Sequence, residues 1–164
     1  MKALVAYYSE TGNTKKVAEA IAGAIHFDKE LKKVQDVENT SGYDIIFCGF
    51  PVQAHSVPKE AIKFIAKVPA GQKIAFFSTH GSLRGGLLPK QAFEHALGLA
   101  AKQTVLGNFG CRGMVAEKII DMLMKSPQHQ AWAQEAGSAM NHPDANDISD
   151  AKSFAAQMIA KISA

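Results

Sequence analysis

The sequence predicts an α/β protein with one parallel sheet of five strands and helices on both faces. Three observations predict it. Short apolar runs alternate with longer amphipathic runs about five times along the chain. The apolar runs are continuous, as in strands covered on both faces, and do not alternate with polar residues. The chain has 164 residues, 47% of them apolar and 20% charged, which suits a single domain, residues 1–164, with one good core.

The elements follow in order. Ala3-Leu4-Val5-Ala6-Tyr7-Tyr8 reads as the first buried strand. Val17, Ala18, Ile21, Ala22 and Ile25 then form one apolar stripe at helical spacing. Leu31-Lys32-Lys33-Val34 is short and half polar, which suits an edge strand. Ile45-Ile46-Phe47-Cys48-Gly49 is a second buried strand, and Ala61, Ile62, Ile65 and Ala66 form a helix entered through Pro58. Ile74-Ala75-Phe76-Phe77 is the third buried strand, followed by a helix over about 88–101 rich in Ala and Leu. A weaker strand at 104–109 leads to a helix carrying Val115, Ile119, Ile120 and Leu123 that stops before Pro127. The last helix carries Ala151, Phe154, Ala155, Met158, Ile159 and Ile162, with Asp147 or Ser149 as its expected cap. Residues 126–147 fit no strand–helix unit and read as an extra helical or irregular segment. There is no internal repeat.

Composition narrows the function. Net charge is +3 and the lysines are scattered, without the clustered basic patch that nucleic-acid binding needs. No run approaches the ~20 apolar residues that span a bilayer, and the opening apolar run is too short for a signal peptide. The expectation is a cytoplasmic protein that binds no membrane and no nucleic acid. Two cysteines, Cys48 and Cys111, make no disulfide framework. His26, His95, His129 and His142 lack metal-ligand spacing, so no metal is expected.

The chemistry points to the first strand–helix turn, Ser9-Glu10-Thr11-Gly12-Asn13-Thr14. Ligands of open α/β sheets sit at the carboxyl ends of the strands. A helix N-terminus there offers free N–H groups and the positive end of a dipole, which favour phosphate. Ser9, Thr11 and Thr14 add hydroxyls, Gly12 allows close backbone approach, and Asn13 tolerates left-handed angles. No lysine or arginine lies in the turn, so hydrogen bonds and the dipole would do the binding. The turn is neither a Walker A loop nor the Gly-x-Gly-x-x-Gly dinucleotide turn. A plain capped turn is the alternative.

The stretch resembles the phosphate loop of flavodoxins, Ser/Thr-x-Thr-Gly-x-Thr after the first strand, and fills every fixed position. The resemblance extends along most of the chain, and "GNFGCRG" and "HPDANDISDAKSF" look like a lesser-known branch of that family. It implies a flavodoxin-like fold with strand order 2-1-3-4-5 and FMN as cofactor. It places the phosphate on Ser9, Glu10, Thr11, Gly12, Asn13 and Thr14. It places the isoalloxazine ring between Pro51, Val52, Gln53, Ala54 and His55 on one side and Thr79, His80, Gly81, Ser82 and Arg84 on the other. It implies an electron carrier from a reductase to an acceptor redox enzyme, with no catalytic side chain, because the cofactor does the chemistry. Alternatives are an FMN-dependent NAD(P)H oxidoreductase acting on a quinone or other small acceptor, and a flavin-free module that keeps the fold.

The sequence departs from familiar flavodoxins in three ways. The only tryptophan, Trp132, lies in the extra segment, which leaves Phe50, His55 and His80 to face the ring, with Val52 and Leu83 as fillers. The loop 51–57 has no glycine, and non-glycine residues resist positive φ; the one-electron-reduced flavin is therefore expected to be weakly stabilised. Both ring loops lack acidic residues and Arg84 adds positive charge, so a less negative second reduction potential is expected. Cys111 reads as an apolar filler and Cys48 as core. Lys15 and Lys16 read as a solvated face.

Overall fold

A computed structural model describes all residues, Met1–Ala164. Five parallel strands, β1 (Lys2–Tyr7), β2 (Asp28–Lys33), β3 (Ile45–Pro51), β4 (Lys73–His80) and β5 (Thr104–Arg112), form one sheet in the order β2-β1-β3-β4-β5. Six α-helices accompany them: α1 (Asn13–Gly23), α2 (Lys59–Lys67), α3 (Leu87–Leu99), α4 (Glu117–Met124), α5 (Gln130–Gly137) and α6 (Ala145–Ser163). This is the doubly wound fold that the alternation of apolar runs predicts, with the expected strand order. No helix is long and apolar enough to cross a membrane.

Burial explains the layers. β1, β3 and β4 lie inside the sheet and are buried along almost their whole length, whereas β2, at the edge, is mostly exposed. Side chains alternate between two cores. One core packs Val5, Phe47, Phe77 and Cys111 against α1 and α6; the other packs Ile46, Phe76 and Phe50 against α2 and α3. The cap of α6 differs from expectation. Asp144 is the cap, and Asp147, three residues on, completes a reciprocal capping box with it.

Helices α4 and α5 belong to neither core: no residue of 117–137 joins either apolar cluster. α5 lies in the extra segment 126–147, α4 is the helix expected before Pro127, and both lie across the carboxyl ends of the strands. That position makes them part of the site.

Candidate functional site

The first turn is built as a cradle. Gly12 adopts φ +94° with nothing within 4 Å of where a Cβ would stand, so the left-handed backbone, and not crowding, calls for glycine here. Ser9 Oγ accepts the Gly12 N–H at 3.1 Å and fixes the turn's shape. No side chain caps α1 and no acidic residue sits in its first turn. The first helical bond is Lys16 N–H to the Gly12 carbonyl, 3.1 Å. The preceding N–H groups therefore have no carbonyl within the helix. Thr14 is buried, its Oγ1 2.8 Å from Thr79 Oγ1 on β4. Asn13 does not cap: its amide donates to the Met114 carbonyl at 3.0 Å and ties the turn to the chain beyond β5. Lys15 points outward to Glu19, 3.7 Å away, and adds no countercharge to the cradle.

The loop after β3 turns tightly. Gln53 and Ser56 exchange backbone bonds of 3.1 and 2.8 Å around Ala54 (φ +45°) and His55 (φ +63°). Two positive φ angles at the tip match the type I′ hairpin turn, which usually carries Asn-Gly. The expectation that a glycine-free loop would avoid positive φ is thus overturned: the loop takes that geometry on Ala and His and carries the strain. His95 on α3 steadies it, accepting from the Ser56 hydroxyl at 2.5 Å and from Val57 N–H at 3.4 Å.

The loop after β4 is held from above. His80 is buried and donates from Nδ1 to the Ser82 carbonyl at 2.9 Å, which fixes its tautomer. Burial holds its pKa below the usual imidazole value. Ser82 Oγ accepts from Trp132 Nε1 at 3.1 Å, and Leu83 N–H donates to Glu135 Oε1 at 2.6 Å. The Arg112 guanidinium donates to the carbonyls of Gly81 (3.2 Å), Ser82 (3.2 Å) and Glu135 (2.7 Å), which staples this loop to α5. Gly81 is required by close approach: a Cβ there would lie 2.7 Å from Val115 Cγ2 and 3.4 Å from the Trp132 ring.

Together these pieces enclose a groove of about 380 Å³. Ser9, Glu10, Thr11, Asn13 and Thr14 line one end, Pro51, Val52, Gln53 and Ala54 one wall, Thr79, His80 and Gly81 the floor, and Gly113–Ala116, Ile119 and Trp132 the roof. A second space of about 620 Å³ adjoins it, sharing Val52, Ala54, His80, Gly81 and Trp132 and adding His55, Ser82, Leu88 and His129. The combined space is of the size that small cofactors occupy.

Several expected residues lie elsewhere. Phe50 is fully buried, edge-on to Phe76, and has no face free for a ligand. Arg84 is not in the groove. It bonds Asp147 (2.8 Å) and Asp150 (2.6 Å) and sits over the Phe109 ring at 5.4 Å, so its charge is matched away from the site. Leu83 is 55% exposed and fills nothing. Although the ring loops contain no acid, the fold brings Glu135 onto Leu83 and leaves Glu10 at the rim, bonded to Tyr8 at 2.7 Å. Burial pushes the Cys111 thiol up to about 12, as a core filler requires. His142, Asp144 and Asp147 cluster, but the capping box and Arg84 use the two carboxylates.

Sequence reading missed Trp132, Arg112, His95 and Met114. Their partners lie 23 to 101 residues away, beyond any local pattern. The one available signal was an unexplained 22-residue segment placed after the last strand of a ligand-binding sheet.

Comparison with known proteins agrees with this geometry. The family profile described as Flavodoxin domain matches residues 4–156. The flavodoxin-like domain-containing protein BilS of Clostridioides difficile (strain CD3) is 33% identical, over 99% of both chains. A flavodoxin from the domain Archaea superposes over 100% of both chains with a TM-score of 0.67 at 21% identity. A flavoprotein of Lactobacillus acidophilus NCFM, solved in complex with FMN, covers 66% of this chain and 92% of its own, with a TM-score of 0.56 at 24% identity.

Proposed function

The chain belongs to the flavodoxin family, and on that premise we propose that it binds FMN and carries electrons from a reductase to an acceptor redox enzyme. One observation carries the reading: the uncapped start of α1, the Thr14–Thr79 pair and both ring loops open into a single groove under Trp132. Bound there, the flavin supplies the redox chemistry. The protein's own part is to bind and shield. Free N–H groups of the first turn, with the Ser9 and Thr11 hydroxyls, suit a phosphate that carries no lysine partner. Val52, Ala54 and Trp132 give apolar walls, and Gln53 and Gly81 give polar contacts along the ring's edge, with His80 in the floor. Cys48 and Cys111 are both free, in keeping with the cytoplasm as its setting.

The test is direct. The purified protein should be yellow, release FMN on denaturation by mass, and take up added FMN to one equivalent. A preparation that stays colourless with excess FMN overturns the reading. Carrier function requires that the FMN-loaded protein be reduced by NADPH or NADH only when a reductase is supplied. The adjoining space of about 620 Å³ favours a second reading, an FMN-dependent NAD(P)H oxidoreductase with room for a small acceptor such as a quinone. Rapid nicotinamide oxidation by the protein alone would select it.

A further inference from the structure

The α3 face of β4 and β5 holds a second, separate cavity. Side chains alternate along each strand, so Ser78 and His80 of β4 and Asn108 and Gly110 of β5 all face α3. β5 is the edge strand, and at Gly110 it offers no side chain to fill the space beneath α3. The result is a cavity of about 460 Å³, walled by Pro89, Phe93 and Leu97 and rimmed by Lys90, Glu94 and Asn108. It shares only His80 with the spaces described above.

His80 lies at its floor. Ser78, fully buried with no partner for its Oγ, lies beside Gly110 and is not part of the lining. His80 is 6% exposed and spends Nδ1–H on the Ser82 carbonyl. Its Nε2 makes no bond within the protein, and it lies beside Gly110: a Cβ on that glycine would stand 3.4 Å from Nε2, 3.4 Å from Ser78 Oγ and 3.2 Å from the Phe93 ring. Two polar atoms thus meet at one point where a side chain is missing. With Nδ1 protonated, neutral His80 offers at Nε2 a lone pair and no hydrogen. Burial keeps the ring neutral near pH 7. Nε2 is open to the cavity, so a donor held there can reach it. The Phe93 ring, half-buried, already contacts Phe50 at 6.2 Å between centroids on its inner side, and its outer side borders the cavity.

We propose that this cavity is a binding site for a small phenol, its ring against Phe93 and Pro89 and its hydroxyl donating to His80 Nε2. A planar ring fits the apolar wall, and the phenolic O–H is a donor that His80 Nε2 can accept. Lys90 at the rim has no ion-pair partner within 4.0 Å and suits a carboxylate on the far side of the ring. The site lies outside the flavin groove, and the proposal does not rest on FMN binding.

The probe is 4-hydroxybenzoate, with benzoate as the analogue that lacks only the hydroxyl. Isotope-labelled full-length protein is titrated by NMR, once with FMN and once without. The expected result is a saturable shift of the His80 ring nitrogens and of the Gly110 and Phe93 amides. Benzoate should bind at least about tenfold more weakly, because it leaves Nε2 unpaired. Gly110→Ala, which fills the floor, should abolish the shifts and leave FMN uptake unchanged. Equal binding of the two probes, no saturable shift, shifts confined to the flavin groove, or undiminished binding by Gly110→Ala would each overturn the proposal. Should that variant fail to fold, the two-probe comparison on the native sequence decides.

Discussion

Replacing Trp132 by alanine is the sharpest test of the roof. Trp132 is the only tryptophan in the chain. Its ring lines both connected spaces, lies 3.4 Å from where a Gly81 Cβ would stand, and its Nε1 donates to Ser82 Oγ at 3.1 Å. Alanine removes two contributions. An aromatic contact with a planar ligand contributes about 0.5–1.5 kcal/mol beyond buried area. The bond that sets Ser82 contributes about 1 kcal/mol. Their sum of about 1.5–2.5 kcal/mol raises the FMN dissociation constant about 10- to 70-fold. Phenylalanine keeps the ring and loses only the bond, so about 5-fold is expected for Trp132→Phe. The assay is loss of free-FMN fluorescence as apoprotein is added, which needs no tryptophan and serves all three proteins. Quenching of the native Trp132 emission on the same titration checks proximity. Alanine binding within threefold of native, or phenylalanine as weak as alanine, would refute the argument that the ring covers the cofactor.

Other outcomes follow from single features. Ala54 at φ +45° is strained in a turn that suits glycine, so Ala54→Gly should raise stability by up to about 1 kcal/mol in urea unfolding; a clear loss would contradict the strained-turn assignment. The folded protein holds His80 with a lowered pKa, chiefly through burial. The unfolded chain binds a proton at about 6.5 and the folded chain only below that. Stability from this group is therefore complete above the unfolded pKa and declines as pH falls beneath it. Between about pH 7.5 and 5.5, His80→Gln should lose less stability than native protein, measured by denaturant unfolding; an equal loss rejects the assignment. Arg112→Met cuts the bonds that hold α5 to residues 81 and 82. Amide exchange over 130–137 should rise several-fold while β1, β3 and β4 stay protected; unchanged exchange in α5 would show that the staple is not what fixes it.

The sheet was legible because its information is local. A buried parallel strand must be apolar on both faces, and 3–8, 45–49 and 74–77 are; the first and third then exit into polar turns at the ligand edge. The cradle was legible for the same reason: Ser9, Thr11, Gly12 and Thr14 act within six residues, and the left-handed Gly12 is the one position that chain geometry reserves for glycine. The loops after β3 and β4 were located at the right strand ends, yet their shapes were not readable. Ala54 and His55 carry none of the residue signals of a type I′ turn, and they take that form because His95, some forty residues on, holds Ser56 and Val57. Arg84 failed for a different reason. Proximity in sequence to His80 suggested the groove, while the carboxylates that claim it stand on α6.

The roof explains both where sequence reading stopped and how the site is organised. α4 has no buried residue and α5 buries only Ala133 and Ala136. α4 still showed its stripe of Ile119, Ile120 and Leu123, but α5, with so little apolar cover, did not declare itself by periodicity. The roof is positioned by polar bonds to the site instead: Asn13 to Met114, Trp132 to Ser82, Glu135 to Leu83, and Arg112 between Gly81 and Ser82 on one side and Glu135 on the other. Three of these bonds join the roof to the first turn or to the loop after β4, and Arg112 joins that loop and α5 to the end of β5. A ligand in the groove would touch both sides of the same contacts. Binding and roof closure are then linked, because whatever fills the groove adds partners to a segment whose own burial contributes little. The sheet, with its two apolar cores, does not need that help.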